Sequence, residues 1–177
     1  MVSSSSVTVT IRIPKELVDI IDGYIDAEIY SNRPDFIVCA VRFFWEATQN
    51  HIESAWEFST KESTDAGTRL YVYSELMKDY YKTWRLRYEE YKGRMETIIV
   101  RLPVGLAGMT KGISDEGLGC KGGQDYARLA IPAYVNYIVH NFESYNNLIT
   151  ERENEFEKVK PLSEAIPSKN KFRQIEK

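Results

Sequence analysis

Two cysteines and two histidines in 177 residues are too few, and too scattered, for a metal centre or a disulfide framework. Cys39 falls in a helical pattern and Cys120 in a glycine-rich loop, with no metal-ligand spacing between them. His51 and His140 occupy separate stretches, where solvated or capping roles suit them better than ligation. No apolar run approaches the roughly 20 residues that span a bilayer, so no membrane partner is expected. The opening MVSSSSV lacks the charged and apolar regions of a signal peptide, which makes a cytoplasmic setting the expectation. No Ser/His/Asp set, paired-carboxylate motif or phosphate loop stands out, so the chain reads as a non-enzyme without a cofactor or metal. Gly117, Gly119 and Gly122 have dinucleotide-fingerprint spacing, but they follow a helical stretch with no buried parallel strand before it. A flexible turn between helices explains them.

A surplus of positive charge is also missing. The net charge is −3, which is awkward for a nucleic-acid binder because phosphate neutralisation supplies most non-specific affinity. Residues 1–50 hold four basic and seven acidic side chains, and residues 51–93 hold seven and eight. Residues 94–150 balance at five each, and 151–177 hold seven and six. The acids of the first segment sit mostly behind its first strand, at Glu16, Asp19, Asp22, Asp26 and Glu28.

What the chain does contain is strict alternation. In VTVTIRIP, Val7, Val9, Ile11 and Ile13 fall on one face, and Thr8, Thr10 and Arg12 on the other, the period of a half-buried strand. METIIVRLP repeats it, with Ile98, Val100 and Leu102 on one face and Thr97, Ile99 and Arg101 on the other. Each segment ends in Arg, an apolar residue and Pro. Two such strands make a ribbon that fits the major groove of DNA, where hydroxyls and guanidinium groups meet base edges.

Helical patterns follow the first strand. Lys15 to about Ile29 carries Leu17, Ile20, Ile21, Tyr24 and Ile25 on one stripe. Pro34 suits the first turn of a second helix, which Asn32 or Ser31 can cap and whose dipole Asp35 complements. Phe36, Cys39, Ala40, Phe43, Phe44 and Ala47 are its expected inward positions. With no Gly or Pro between Asp35 and Phe58, it can run on through Ile52 and Trp56. A polar loop is expected at 59–68, then a long helix from Arg69 to Lys92 with the stripe Leu70, Tyr73, Met77, Tyr80, Trp84, Tyr88 and Tyr91. That stripe reads as core more readily than as a ligand pocket. Both long helices would span ~36 Å at ~1.5 Å per residue, bringing the second strand back beside the first.

Strand, helix, turn and helix in this order resemble the ribbon-helix-helix family of DNA-binding proteins, the MetJ/Arc type. The likeness rests on Thr8-Val9-Thr10-Ile11-Arg12-Ile13-Pro14, on Leu17 and Ile21, and on Ser31-Asn32-Arg33-Pro34-Asp35-Phe36-Ile37. The resemblance implies that Thr8, Thr10 and Arg12 contact bases and that Asn32 and Arg33 hold a phosphate at the start of the second helix. A displacement of 89 to 90 residues then pairs Arg12 with Arg101, Pro14 with Pro103, Leu17 with Leu106, Asp35 with Asp125, Phe36 with Tyr126 and Ala40 with Ala130.

The second copy departs from the family pattern. Ile99 stands where Thr10 stands in the first, so it can touch a thymine methyl but cannot hydrogen-bond. Gly105, Gly108 and Gly112 thin its first helix. Its turn, Gly119-Cys120-Lys121-Gly122-Gly123, lacks an equivalent of Arg33 but offers Lys121 and the amides of Gly122 and Gly123 to a phosphate.

The resulting expectation is a mainly α chain: two ribbon-helix-helix units that pair as a single-chain pseudo-dimer, joined by a long helical hairpin. Its divisions are a disordered start (1–6), a first unit (7–48), a connector (49–93), a second unit (94–142) kinked at Pro132, a helical extension (143–160) and a mobile tail (161–177). The expected function is a sequence-specific double-stranded DNA-binding regulator, acting as a repressor on an asymmetric site, with self-association of pseudo-dimers open. The alternatives are a plasmid or DNA-processing accessory factor and a protein-interaction module that has kept the fold and lost DNA.

Overall fold

A computed structural model of the chain describes residues 5–115 and 120–142. The chain divides into two compact units, Met1–Asn136 and Tyr137–Lys177. In the first, the order is β1 (Ser6–Pro14), α1 (Lys15–Asp26), α2 (Arg33–Glu62), α3 (Ala66–Glu90), β2 (Met95–Pro103), α4 (Val104–Asp115) and α5 over residues 123–136. In the second, residues 137–142 are helical. The protein is mainly helical with one small two-stranded antiparallel sheet. Gly117, Gly119 and the expected extension and tail at 143–160 and 161–177 lie outside the described residues.

The alternation of the two strands builds the sheet. β1 and β2 pair antiparallel within the chain from Ser6↔Pro103 to Pro14↔Met95. Ile11, Ile13, Ile98, Val100 and Leu102 are buried on the inner face, while Val7, near the end of the ribbon, stays 43% exposed. The start is ordered further back than 1–6 suggests: Ser6 belongs to β1, and the Ser5 carbonyl accepts the Val104 amide at 3.1 Å. The Lys15 amide likewise donates to the Arg94 carbonyl at 2.9 Å. These two bonds correspond, since adding 89 to Lys15 and Ser5 gives Val104 and Arg94. Both satisfy an amide that the first turn of a helix leaves without an internal acceptor. Gly93, at φ +105°, permits this junction; a Cβ there would lie 3.2 Å from that of Lys15.

Three helical expectations need correcting. α1 stops at Asp26, three residues short of Ile29, where Glu28 takes the left-handed φ of 59°; its buried residues are Leu17, Val18 and Ile21, not Ile20. α2 passes through the expected polar loop as far as Glu62, burying Ser59, so the connection shrinks to residues 63–65. There Asp65 caps α3, its carboxylate accepting the Thr68 amide at 2.8 Å and hydroxyl at 2.9 Å. With 30 and 25 residues, α2 and α3 span ~45 and ~38 Å, so the two arms are unequal. The α3 stripe is also only partly inward: Met77 is fully buried and Tyr81 joins it, while Leu70, near the start of the helix, is 59% exposed.

Tyr81 turns inward because a ring cluster receives it. The Phe44 ring lies 4.9 Å from Tyr126, 5.7 Å from Tyr80, 6.1 Å from Trp84 and 6.4 Å from Tyr81, centre to centre. Beside it the buried Thr48 hydroxyl meets the hydroxyls of Tyr126 at 3.2 Å and Tyr80 at 3.4 Å. His51 stacks on Tyr80 at 4.4 Å, which gives that histidine a packing role. A second cluster joins Tyr24, Tyr30, Phe36 and Phe43 to Tyr134 of α5, with the Tyr30 and Tyr134 hydroxyls 2.7 Å apart. Phe36, Cys39, Ala40, Phe43, Phe44 and Ala47 are not equally inward: Cys39, Phe43 and Ala47 are half-buried, and Ile37 and Val41 complete the buried face. The helix of α5 continues through the buried Pro132. No helix among the described residues is long and apolar enough to cross a membrane.

Phe44→Ala should cost about 3 to 5 kcal/mol of stability, since four rings lose their common neighbour. The buried Tyr81 hydroxyl has no hydrogen-bond partner among the described residues, so Tyr81→Phe should be close to neutral. Urea unfolding of both variants checks this; a loss above about 1 kcal/mol for Tyr81→Phe would reveal a partner for the hydroxyl.

Candidate nucleic-acid interface

Period-two alternation leaves one ribbon face to solvent, and Thr8, Thr10, Arg12, Thr97, Ile99 and Arg101 are all exposed on it. The register brings them together as three cross-strand pairs, Thr8↔Arg101, Thr10↔Ile99 and Arg12↔Thr97. Each arginine stands opposite a threonine. Neither the Arg12 nor the Arg101 guanidinium has a hydrogen bond or ion pair among the described residues, and both project from the paired strands. The Arg12 carbonyl accepts the Tyr88 hydroxyl and the Arg128 Nε, each at 3.1 Å, which ties the middle of β1 to α3 and α5.

The start of α2 lies beside this face. Ser31, Asn32, Pro34, Asp35 and Val38 form one wall of an open cleft, and Ile99 and Arg101 of β2 form the other. Asn32 caps the helix, its Oδ1 accepting the Asp35 amide at 2.9 Å, and the Ser31 amide donates to the Asp35 carboxylate at 3.4 Å. Arg33 is not open in the same way. Its Nε and Nη2 grip both oxygens of Asp22 at 2.6 Å, and Nη1 lies 3.6 Å from Glu96. That hydrogen bonding holds the Asp22 carboxyl below the usual carboxylate range. A phosphate would have to compete with two carboxylates for Arg33, whereas the helix amides and Arg101 are nearer the cleft. Arg33 therefore ties α1, α2 and β2 together.

At the start of α5 the backbone repeats the arrangement with different side chains. The Lys121 amide donates to Asp125 at 2.9 Å, as Ser31 does to Asp35, and the Tyr126 amide donates to the Gly122 carbonyl at 2.9 Å, as Phe36 does to Asn32. Gly122 has φ +125°, and a Cβ on Gly123 would lie 3.2 Å from the Thr110 Oγ1, so both glycines serve the backbone turn. Lys121 is exposed. Arg85 of α3 holds Asp125 through both terminal nitrogens, at 2.7 and 3.2 Å. Burial pushes the Asp125 carboxyl up, but hydrogen bonds from Arg85 and the Lys121 amide outweigh it and leave the group below its ordinary value. Cys120 beside them is buried, which pushes its thiol up to about 12 and keeps it protonated at neutral pH.

Two participants escape a reading of the sequence motif. Arg128 reaches β1, and it lies 90 residues after Val38, the displacement noted in the sequence. That displacement was the available signal. Arg85 lies in the connector, outside both repeats, and nothing in its helical setting marks it. Among the described residues no group of three or more His, Cys, Asp or Glu side chains gathers as a metal site.

Arg85→Gln should destabilise the fold by about 1.5 to 3 kcal/mol at neutral pH, because a half-buried carboxylate loses its charged donors. The folded Asp125 pKa lies below the unfolded one, so the pair's contribution is complete above the ordinary carboxylate pKa and disappears as pH falls through the lowered value. The stability gap between wild type and variant should accordingly close below about pH 4. A gap that persists unchanged into acid would assign Arg85 a packing role.

No protein-family model, curated protein or solved structure matches this chain.

Proposed function

We propose that the chain is a sequence-specific double-stranded DNA-binding regulator of ribbon-helix-helix type, a duplicated unit whose two copies pair within one polypeptide. The observation that carries this reading is the register: it aligns Thr8, Thr10, Arg12, Thr97, Ile99 and Arg101 as one exposed face, with Thr10 opposite Ile99. Those two residues are 89 apart, the same displacement that relates the repeats. Equivalent residues therefore meet at the middle of the ribbon, and every other pair on the face exchanges Thr8 with Arg12 or their counterparts. That is the pattern of a two-fold interface. The exchanged bonds of Lys15 to Arg94 and Val104 to Ser5, and the matching turns before α2 and α5, support the same relation.

In this reading the ribbon enters the major groove, Arg12 and Arg101 donate to guanine, and the threonines serve as permissive donors or acceptors. The Asn32 and Arg33 amides at the start of α2, and Lys121 with Gly122, Gly123 and Arg128 near the start of α5, hold flanking phosphates. Asn32 acts through the cap and Arg33 through its brace. The net charge of −3 matters less than the local balance, because Arg12 and Arg101 have no ion-pair partner among the described residues where DNA would lie. Repression follows from occlusion of the bound site.

One observation favours a second reading. Ile99, at the middle of the face, is 62% exposed, and such a face could instead bind another protein. Binding of the full chain to random duplex DNA at two salt concentrations separates the two. A DNA reader should lose affinity steeply as salt rises; a folded chain that ignores duplex at low salt favours the protein partner.

Arg12→Ala should lower discrimination between specific and random duplex by ~1 to 3 kcal/mol and leave stability nearly unchanged, because the guanidinium is exposed and has no partner among the described residues. Fluorescence anisotropy on both duplexes measures it. Equal weakening on both would show that Arg12 contacts only phosphate.

A further inference from the structure

The three exposed pairs of the ribbon are not equivalent. Thr8↔Arg101 and Arg12↔Thr97 have identical chemistry, one at each end, and are related by the exchange that relates the repeats. The central pair, Thr10↔Ile99, sets a hydroxyl against a hydrocarbon. Ile99 is 62% exposed, flanked along its own strand by Thr97 and Arg101, and lines the cleft together with Val38. The same central position in β1 carries Thr10, so the backbone there accepts a polar side chain.

Ile99 has neither donor nor acceptor, so at a groove floor it gains only by covering apolar surface. The floor of the major groove offers one apolar group, the C5-methyl of thymine, which 5-methylcytosine shares. We propose that the DNA target is an imperfect inverted repeat, whose two arms present guanine to Arg12 and Arg101 and whose centre is broken by a thymine methyl beneath Ile99. This rests on the DNA-binding reading above and adds to it what the DNA must contain. The asymmetry is thereby confined to the middle of the site. The ends stay alike because their base-facing residues stay alike; among those six residues only the Thr10–Ile99 pair breaks the exchange.

The test begins with selection of bound duplexes from a random synthetic pool by the full chain. The expected product carries related guanine-containing arms and a thymine on one side of the centre. Deoxyuridine, which lacks only the methyl, is then substituted for each thymine in turn. Burying one methyl group is worth ~0.8 kcal/mol, so affinity should fall about four-fold at that position and remain unchanged elsewhere. A 5-methylcytosine–guanine pair placed there should bind more tightly than its unmethylated counterpart, which identifies the methyl as the group read.

Ile99→Thr, checked for retained helicity, should remove the sensitivity to deoxyuridine and shift selection toward a true inverted repeat. Salt-dependent, sequence-selective binding that is indifferent to deoxyuridine at every position would overturn the methyl contact while leaving the DNA-binding reading in place. A strict inverted repeat selected by the wild-type chain would overturn it too. Failure of the folded chain to bind any duplex, even at low salt, would remove both readings together.

Discussion

A two-stranded ribbon is barely stable in water by itself, and everything on the outer face of this protein depends on keeping one. The inner face supplies the means. Ile11, Ile13, Ile98, Val100 and Leu102 lose their water against α1, α2 and α4, which pack on the strands from below. A slip of one residue would turn that apolar set outward and the threonines and arginines inward, so burial of the inner face also fixes what the outer face displays. The strands are separated by residues 15–94, and closing so long a loop from a flexible chain costs entropy. Folding most of that stretch into α2 and α3 replaces a flexible loop by a helical hairpin stapled through Phe44, Thr48, Tyr80 and Tyr81.

Electrostatics sorts the cations into two kinds. Arg33 and Arg85 are spent on Asp22, Glu96 and Asp125, and each joins elements remote in sequence. Arg12 and Arg101, on the ribbon, have no such partner among the described residues. A whole-chain charge of −3 averages over both kinds and over the exposed acid–base pairs of the helices, such as Glu57 with Lys61 and Glu75 with Lys78. Pairs of that exposed type contribute little to stability.

The parts of this arrangement legible in the sequence are those governed by short-range periodicity. Alternation identified both strands and their outward residues, and Asn32-Arg33-Pro34-Asp35 marked the start of α2. The rest depended on what lies across the fold. Cys39 and Phe43 occupy apolar positions in the helical pattern, yet Ile37 and Val41 are the residues buried there, because the direction from which the strands and α5 approach decides the phase. Tyr81 is buried because Phe44 of α2 meets it, whereas Leu70, near the start of α3, stays exposed. Arg33 looked like a phosphate ligand from its place in the motif, and only the approach of Asp22 and Glu96 discloses its bracing role. Arg85 was silent because its partner Asp125 is 40 residues away, and Arg128, whose partner is the Arg12 carbonyl 116 residues away, was marked only by its displacement from Val38. The polar stretch 59–62 misled because Thr60, Lys61 and Glu62 face solvent, and surface-facing helix and loop share a composition; the cap at Asp65, three residues beyond, was the better marker.

Both strands of the ribbon belong to one covalent chain, so its assembly is unimolecular. Where two separate molecules must meet to complete such a sheet, their encounter follows mass action and dilution dissolves the pair. Here the hairpin holds each strand at a high effective concentration beside the other, however scarce the protein is. The same covalent link frees the two strands from copying one another. In a pair of identical molecules every substitution appears twice, on both sides of the axis; in this ribbon a change such as threonine to isoleucine can enter one strand alone and leave its opposite untouched.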